Sequence, residues 1–170
     1  MLRTTPISKV RCESTLSSDA LPQSLKFSLS SFSIGNAGLP QDLVDWLKPT
    51  LETTEDHGIP DIVAVGFQEL LPLHLGLTGL SRGIVDSRNA LILKEIQAHT
   101  GTEYSLVARA VYAGVALLVY ANDDGIAKRI DTVQTSWTGF GPIYMGNKSA
   151  AAIRFRVRAS SSDVSDETFT

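Results

Sequence analysis

The segment Asp61–Phe67 (DIVAVGF) constrains the fold more than any other part of this 170-residue chain. It is a short apolar run, rich in β-branched residues, that directly follows Ile59-Pro60. Apolar residues at consecutive rather than alternate positions are typical of a strand that is buried on both faces. Such a strand needs a layer of structure on each side of its sheet. The sequence therefore predicts a layered fold.

Segments before and after this run alternate between strand and helix patterns. Residues 27–32 alternate as a strand does, and a Gly-Asn-Ala-Gly stretch then ends it. Leucine and tryptophan side chains recur at helical spacing over Leu39–Lys48, where Pro49 predicts the end of the helix. Asp86 or Ser87 is a candidate cap for a second helix, with Gly101 as its stop.

Strands dominate the second half of the chain. They are predicted at Tyr104–Ala110, Gly114–Tyr120, Ile126–Gln134 and Ala151–Arg158. A hairpin turn is predicted at Asn122–Gly125, so that the four strands form a meander. In the last strand the apolar residues would face the core and the three arginines would face outward. This order of elements predicts an α/β (α+β) fold, a layered β-sandwich flanked by helices, whereas the lack of a Gly-x-Gly-x-x-Gly motif disfavours a doubly wound fold.

Composition excludes several classes of protein. The chain has 15 Lys and Arg against 18 Asp and Glu, a formal net charge of −3, which argues against a nucleic-acid binder that relies on a basic surface. Its one cysteine, Cys12, can form neither an internal disulfide nor a cysteine-based zinc site, and it favours a reducing, cytoplasmic location. No apolar run approaches the roughly 18 residues of a membrane-spanning helix.

The two ends of the chain lack the periodicity of its centre. Residues 1–24 mix Ser, Thr, Pro and charges, and they are predicted to form a flexible leader, with an organelle-targeting signal as the alternative. Residues 25–170 form the predicted domain. Near the other end, a Ser-rich connector precedes Glu167–Thr170, which has the alternation of a strand that is beginning.

Glu69 stands at the end of the apolar run, next to Gln68. In α/β folds, ligand-binding groups are presented where a buried strand leaves the sheet. Its carboxylate is suited to a hard cation such as Mg²⁺, although one carboxylate is not by itself a metal site. The alternative is a structural role, as a capping or salt-bridging residue at the start of a loop.

A second candidate site is the glycine-rich loop Gly139–Ser149 (GFGPIYMGNKS). Glycines allow backbone amides to approach a ligand closely, and Asn147 with Lys148 adds an amide and a point charge suited to a phosphate. The loop lacks the G-x-x-x-x-G-K spacing of a P-loop, and a long turn between strands is the alternative. From this loop onward, four basic residues occur with no acidic residue between them: Lys148, Arg154, Arg156 and Arg158. They form either a solvated strand edge or a binding site for an anionic ligand.

Taken together, these segments resemble the inositol polyphosphate 5-phosphatases of the endonuclease/exonuclease/phosphatase superfamily. The correspondence runs from about Phe27 to Arg158. Its most specific part is the pair GFQEL (Gly66–Leu70) and GNK (Gly146–Lys148), with strands between them. GFQE alone would indicate only the superfamily, because a metal-binding Glu after that strand is shared by its nucleases.

The resemblance implies Mg²⁺-assisted removal of the 5-phosphate from a phosphoinositide or a soluble inositol phosphate. Glu69 would ligate the metal, and Asn147 and Lys148 would lie against the substrate phosphate. Ser33 stands where the family usually has an Asn, and Ser149 replaces its usual Gly. A lipid substrate further implies peripheral contact with a membrane, and no nucleic-acid partner is expected.

Motifs that complete the site in such enzymes do not occur in this sequence: an N-S-H-L histidine, a G-D-x-N segment, a C-D-R loop and an S-D-H segment. None of His57, His74 and His99 stands in one of these contexts. We therefore expect the N-terminal half of a phosphatase domain, truncated and inactive as this chain, with no complete set of catalytic residues. Two alternatives remain, a non-catalytic module that binds anionic lipid or a protein, and another superfamily hydrolase such as a nuclease or a sphingomyelinase-like enzyme.

Overall fold

A computed structural model describes residues 25–33, 47–48, 51, 58–76, 78–139 and 149–158. The predicted leader, most of the helix predicted over Leu39–Lys48, the loop residues 140–148 and the Ser-rich connector lie outside these ranges. Leu47, Lys48 and Leu51 are helical, and Leu47 and Leu51 are buried. Helical conformation therefore occurs beyond Lys48, where Pro49 had predicted its end.

The described residues form six strands in two sheets. The elements are β1 (Phe27–Ser33), β2 (Ile62–Gln68), α1 (Leu73–Gly76), α2 (Leu80–Thr100), β3 (Tyr104–Tyr112), β4 (Val115–Asn122), a 3-10 turn (Ala127–Arg129), β5 (Ile130–Gly139) and β6 (Ser149–Val157). One sheet has the strand order β1-β2-β4-β3, in which β1 and β2 are parallel and the other pairs are antiparallel. The second sheet is an antiparallel ribbon of β5 and β6.

The four-stranded sheet is covered on both faces, as the apolar run of β2 predicted. Val63, Val65 and Phe67 belong to a core shared with α2 and with Leu47 and Leu51. Ile62 and Ala64 alternate with them and belong to a second core, which packs against the ribbon. The architecture is therefore a mixed α/β layered sandwich, with α2 on one face of the central sheet and the ribbon on the other.

Helix α2 begins earlier than predicted. Its first residue is Leu80, preceded by Gly79 at a φ of 85°, so that Asp86 and Ser87 lie inside the helix rather than at its cap. The prediction was wrong because the first turns are held by tertiary contacts: Val85 is buried in the core, and the Ser81 hydroxyl donates a hydrogen bond to the Ala113 carbonyl.

The end of α2 is as predicted. Gly101 adopts the left-handed conformation with a φ of 69°, and its N–H donates to the Gln97 carbonyl at 2.9 Å. Glycine is favoured there because a side chain is strained in this conformation.

The predicted meander of four strands is wrong. Strands β3 and β4 form a tight hairpin through Ala113-Gly114, but β4 does not pair with β5. Instead of a hairpin turn, Asn122–Gly125 leads into the 3-10 turn, and the chain crosses to the second sheet. The strand predicted from Ile126 accordingly begins at Ile130. Ile126 itself is buried in the second core, and this burial favours the crossing over a return alongside β4.

Strand β6 is as predicted, with half-buried and exposed residues in alternation. Ile153, Phe155 and Val157 pack against the second core, whereas the arginines between them are exposed. Among the described residues, no helix combines the length and the apolar character that crossing a lipid bilayer requires.

Candidate functional site

The carboxyl ends of β1 and β2 meet at one edge of the central sheet. The parallel register places Ser33, the last residue of β1, opposite Gln68, the last residue of β2. Glu69 follows directly and is exposed, whereas the next residue, Leu70, is buried. Two of the residues predicted from the sequence, Ser33 and Glu69, are therefore neighbours at the position where α/β sheets present ligand-binding groups.

The backbone at Glu69 is held in an uncommon conformation. Its φ is 54°, in the left-handed region, which costs a non-glycine residue roughly 1–2 kcal/mol. The next N–H, that of Leu70, donates to the Gly114 carbonyl at 3.0 Å, and the burial of the Leu70 side chain anchors the same turn. A Cβ on Gly114 would lie 3.9 Å from the Cα of Glu69, so the hairpin packs directly against this residue. Strain of this kind is commonly found at functional sites.

The first turn of α2 lies at the same hairpin, because Ser81 donates to the carbonyl of Ala113. The N-terminal end of a helix carries a partial positive charge that favours anions nearby. Sequence reasoning missed this contribution by beginning the helix at Asp86 or Ser87. The available signal was Gly79 followed by the apolar positions Leu80 and Val85.

An aromatic pair brings the ends of the ribbon to this edge of the molecule. Tyr112, the last residue of β3, stacks on Trp137 of β5, with ring centroids 3.9 Å apart and an angle of 7° between the planes. Two residues beyond Trp137, Gly139 pairs with Ser149. The residues that flank the glycine-rich loop therefore lie at the same end of the fold as the hairpin and Glu69.

Asn147 and Lys148 themselves lie outside the described residues. Their predicted contact with phosphate stays a prediction, as does the metal-binding role of Glu69. Of the histidines, His99 pairs with Glu95 inside α2 at 3.9 Å and His74 is in α1, whereas His57 is not among the described residues.

At the end of β2, the described residues offer a divalent cation the carboxylate of Glu69. Within the described ranges, no group of three or more His, Cys, Asp and Glu side chains could hold a metal alone. Mg²⁺ is often bound by one or two carboxylates together with substrate phosphates and water, and an exposed carboxylate on an anchored turn suits that mode. The residues fit a metal shared with the substrate rather than a cage made of protein ligands.

A family model for endonuclease/exonuclease/phosphatase family 2 matches residues 30–165. The chain belongs to this family. The matched region begins within β1 and runs past the end of β6, so it includes both sheets and α2. No curated protein sequence matches the chain.

Among solved structures, this family member is similar to the inositol polyphosphate 5-phosphatase domain of SPsynaptojanin, solved in complex with inositol (1,4)-bisphosphate and a calcium ion. The two share 25% identity with a TM-score of 0.58, over 78% of this chain and 36% of that chain. The present chain thus spans little more than a third of the length of that structure. Two mutants of a Cimex nitrophorin, solved as ferrous NO complexes, match at 15% and 17% identity, with TM-scores of 0.48 and 0.47 and coverage of 82% of this chain and 50% of each of those chains.

Proposed function

We propose that this family 2 chain contributes to metal-dependent removal of the 5-phosphate from an inositol phosphate or a phosphoinositide. The observation that carries the proposal is the meeting of Ser33, Glu69 and the residues flanking the glycine-rich loop at one end of the fold. The synaptojanin domain, which holds an inositol bisphosphate and a metal ion, supports the substrate class.

Each residue has a proposed role. Glu69 would hold Mg²⁺ through its carboxylate, with Ser33 near it at the end of β1. A bound Mg²⁺ supplies charge neutralisation and orientation of the phosphoryl group. Lys148 contributes a point charge and Asn147 an amide to the substrate phosphate. The N-terminal turn of α2 adds a fixed positive partial charge at the same edge.

We further propose that the 170 residues bind substrate but do not turn it over. Phosphate hydrolysis requires a group that positions or deprotonates the attacking water. The proposed roles of Glu69, Asn147 and Lys148 are metal and phosphate contacts, and none of the three histidines stands in a family motif that provides such a group. The expected property of this chain is therefore metal-dependent binding.

Binding is tested by titrating the 170-residue chain with inositol (1,4,5)-trisphosphate, which carries the 5-phosphate, in the presence of Mg²⁺, in Ca²⁺ and in EDTA. We expect heat of binding with either metal and none in EDTA. The Glu69→Gln variant should lose binding, because an amide is a weaker ligand for a hard cation than a carboxylate. The matched control is Glu103→Gln, an exposed residue in the turn before β3. Binding that is equal in EDTA, or equal in the two variants, would contradict the role of Glu69.

Turnover is tested separately by phosphate release from a 5-phosphorylated inositol lipid with Mg²⁺. We expect no release above buffer from this chain. Release that Glu69→Ala abolishes would overturn the proposed inactivity, while leaving the substrate class intact.

A further inference from the structure

The outer face of the β5–β6 ribbon carries a concentration of positive charge that the proposed site does not use. Arg154 and Arg156 of β6, and Arg158 directly after it, project away from the second core and are exposed. The 3-10 turn adds two more cations beside them, because the Arg158 guanidinium donates to the Lys128 carbonyl at 3.3 Å and the Arg129 guanidinium donates to the Arg158 carbonyl at 2.8 Å. These five residues form the basic face.

Asp131 forms ion pairs with two members of the basic face, Arg156 and Arg158. A β-bulge between Asp131 and Gln134, with Thr132 at a φ of 52°, sets Asp131 opposite Arg156. The Arg156 guanidinium donates two hydrogen bonds to that carboxylate, at 2.7 and 3.0 Å, and Arg158 lies 3.7 Å away. Asp131 is thus shared by two of the five cations.

Two members of the face form no ion pair with any described residue, namely Lys128 and Arg154. Both are exposed. Asp123 and Asp124, which precede the 3-10 turn, also form no ion pair with the face among the described residues. The chain as a whole has a net charge of −3, so this charge is a local feature of one surface.

Strand β5 adds exposed apolar groups to the same ribbon. Every residue from Thr132 to Thr138 is exposed, including Val133 at 40% and Trp137 at 55%. Trp137 pairs with Ala151, so it projects from the opposite face to Arg154. A surface that approaches β5 edge-on, however, meets the side chains of both faces.

Cations combined with exposed tryptophan and aliphatic side chains are the composition of surfaces that bind at the membrane interface. Tryptophan places an apolar body and a polar N–H at the level of the lipid headgroups. A nucleic acid would also attract the cations, but it offers no apolar phase to Val133. The composition therefore favours lipid.

We propose that the basic face and the exposed edge of β5 dock on an anionic lipid bilayer, with the edge of the ribbon lying at the headgroup level. The docking surface does not include Glu69 and needs no metal. It would hold the family 2 fold at a membrane whether or not the proposed phosphatase function is correct.

The first test is co-sedimentation of the 170-residue chain with vesicles of phosphatidylcholine containing about 30% phosphatidylserine and no inositol lipid. We expect binding to these vesicles at low salt, weakening as salt screens the charges, and little binding to pure phosphatidylcholine. Neutralising Lys128→Gln with Arg154→Gln should lower the partition coefficient roughly 25-fold, about fivefold for each cation. These two positions are chosen because they lie outside the Asp131 ion pairs.

The matched control neutralises Arg82→Gln with Lys94→Gln, which removes the same charge from exposed positions of α2 on the other side of the sheet. It should change binding less than about twofold. Equal losses in both double variants, or no sedimentation with the anionic vesicles at low salt, would overturn the proposal. Tighter binding to duplex DNA than to the vesicles would assign the face to nucleic acid instead.

Orientation is tested with Trp46→Phe, which leaves Trp137 as the one tryptophan of the chain. The fluorescence emission of Trp137 should shift to shorter wavelength when the chain binds anionic vesicles, because the indole then leaves water. Binding without a shift would overturn the edge-on arrangement. Glu69→Gln should bind these vesicles as the unmodified chain does, so failure here and failure of the proposed phosphatase function remain distinguishable.

Discussion

The backbone N–H of Leu70 donates a hydrogen bond to the carbonyl of Gly114 at 3.0 Å. This bond joins the turn after β2 to the hairpin between β3 and β4, 44 residues further along the chain. Ser81 bonds to the same hairpin from the first turn of α2. The position of Glu69 therefore depends on three separate elements, and its left-handed conformation is maintained by packing rather than by its own preference.

We expect Glu69 to be a site where function and stability conflict. At a φ of 54°, glycine avoids the strain of a side chain, although it also loses more entropy on folding than alanine does. Glu69→Gly should be about 0.5–1 kcal/mol more stable than Glu69→Ala in urea unfolding. Both variants should fail to bind inositol phosphate with metal. If Glu69→Ala were the more stable of the two, the conformation assigned to this turn would be wrong.

Replacement by alanine should change the stability of the fold in opposite directions at two glycines, one inside α2 and one at its C-terminal cap. Gly83 lies in the helix with open space around it, so Gly83→Ala should stabilise the fold by about 0.5–1 kcal/mol. Gly101 caps the helix at a φ of 69°, so Gly101→Ala should destabilise it by about 1 kcal/mol. Thermal or urea unfolding measures both, and changes of the same sign would contradict a helix that begins at Leu80 and ends at Thr100.

The stacking of Tyr112 on Trp137 should contribute measurable coupling. Parallel aromatic rings at 3.9 Å are expected to add about 1 kcal/mol beyond the area that they bury. A double-mutant cycle of Tyr112→Ala and Trp137→Ala in urea unfolding isolates this energy. Strictly additive effects would show that the pair does not fix the ribbon to the hairpin.

Acid should weaken the ribbon through Asp131. The hydrogen bonds from Arg156 lower the pKa of this carboxyl below its ordinary value, with the charges of Arg156 and Arg158 adding to the effect. A lowered pKa in the folded state stabilises the fold above the pKa of the unfolded state, and the contribution is lost as the pH falls from about 5 toward and below the folded value. As the pH is lowered through this range, the unfolding temperature should fall more steeply for the unmodified chain than for Asp131→Asn.

The control for this prediction is Asp124→Asn, an exposed carboxylate whose side chain forms no ion pair with the described residues. The unfolding temperature of this variant should depend on pH as steeply as that of the unmodified chain. High salt should reduce the difference, since the Asp131 pair is near the surface. Parallel curves for all three proteins would show that the pair contributes nothing to folding.

The patterns that predicted structure correctly were local ones. The consecutive apolar residues of Asp61–Phe67 marked a strand with both faces buried, and the alternation in Ala151–Arg158 assigned its inner and outer residues. Gly101 marked a helix end because one residue's backbone conformation decides it. The candidate Glu69 was found for the same reason, as it directly follows a strand that the sequence identifies.

Errors arose where distant contacts overrode local signals. The turn residues Asn122–Gly125 predicted a hairpin, but the burial of Ile126 in the second core accompanies a crossing to the other sheet. Asp86 is an acceptable cap by sequence, yet it lies within α2 and pairs with Arg109 of β3. The arginines of β6 have no acidic neighbour in sequence, and Asp131 reaches them only through the pairing of β5 with β6.

By itself, the sequence determined the layered α/β class, the strand that carries Glu69 and the family that these motifs resemble, because each depends on side chains within a few residues of one another. The tertiary structure alone decided which residues meet: Glu69 with the hairpin, Tyr112 with Trp137, and the cations of the basic face with one another. Such contacts are set by how two sheets and a helix bury their apolar faces together, which no local pattern encodes.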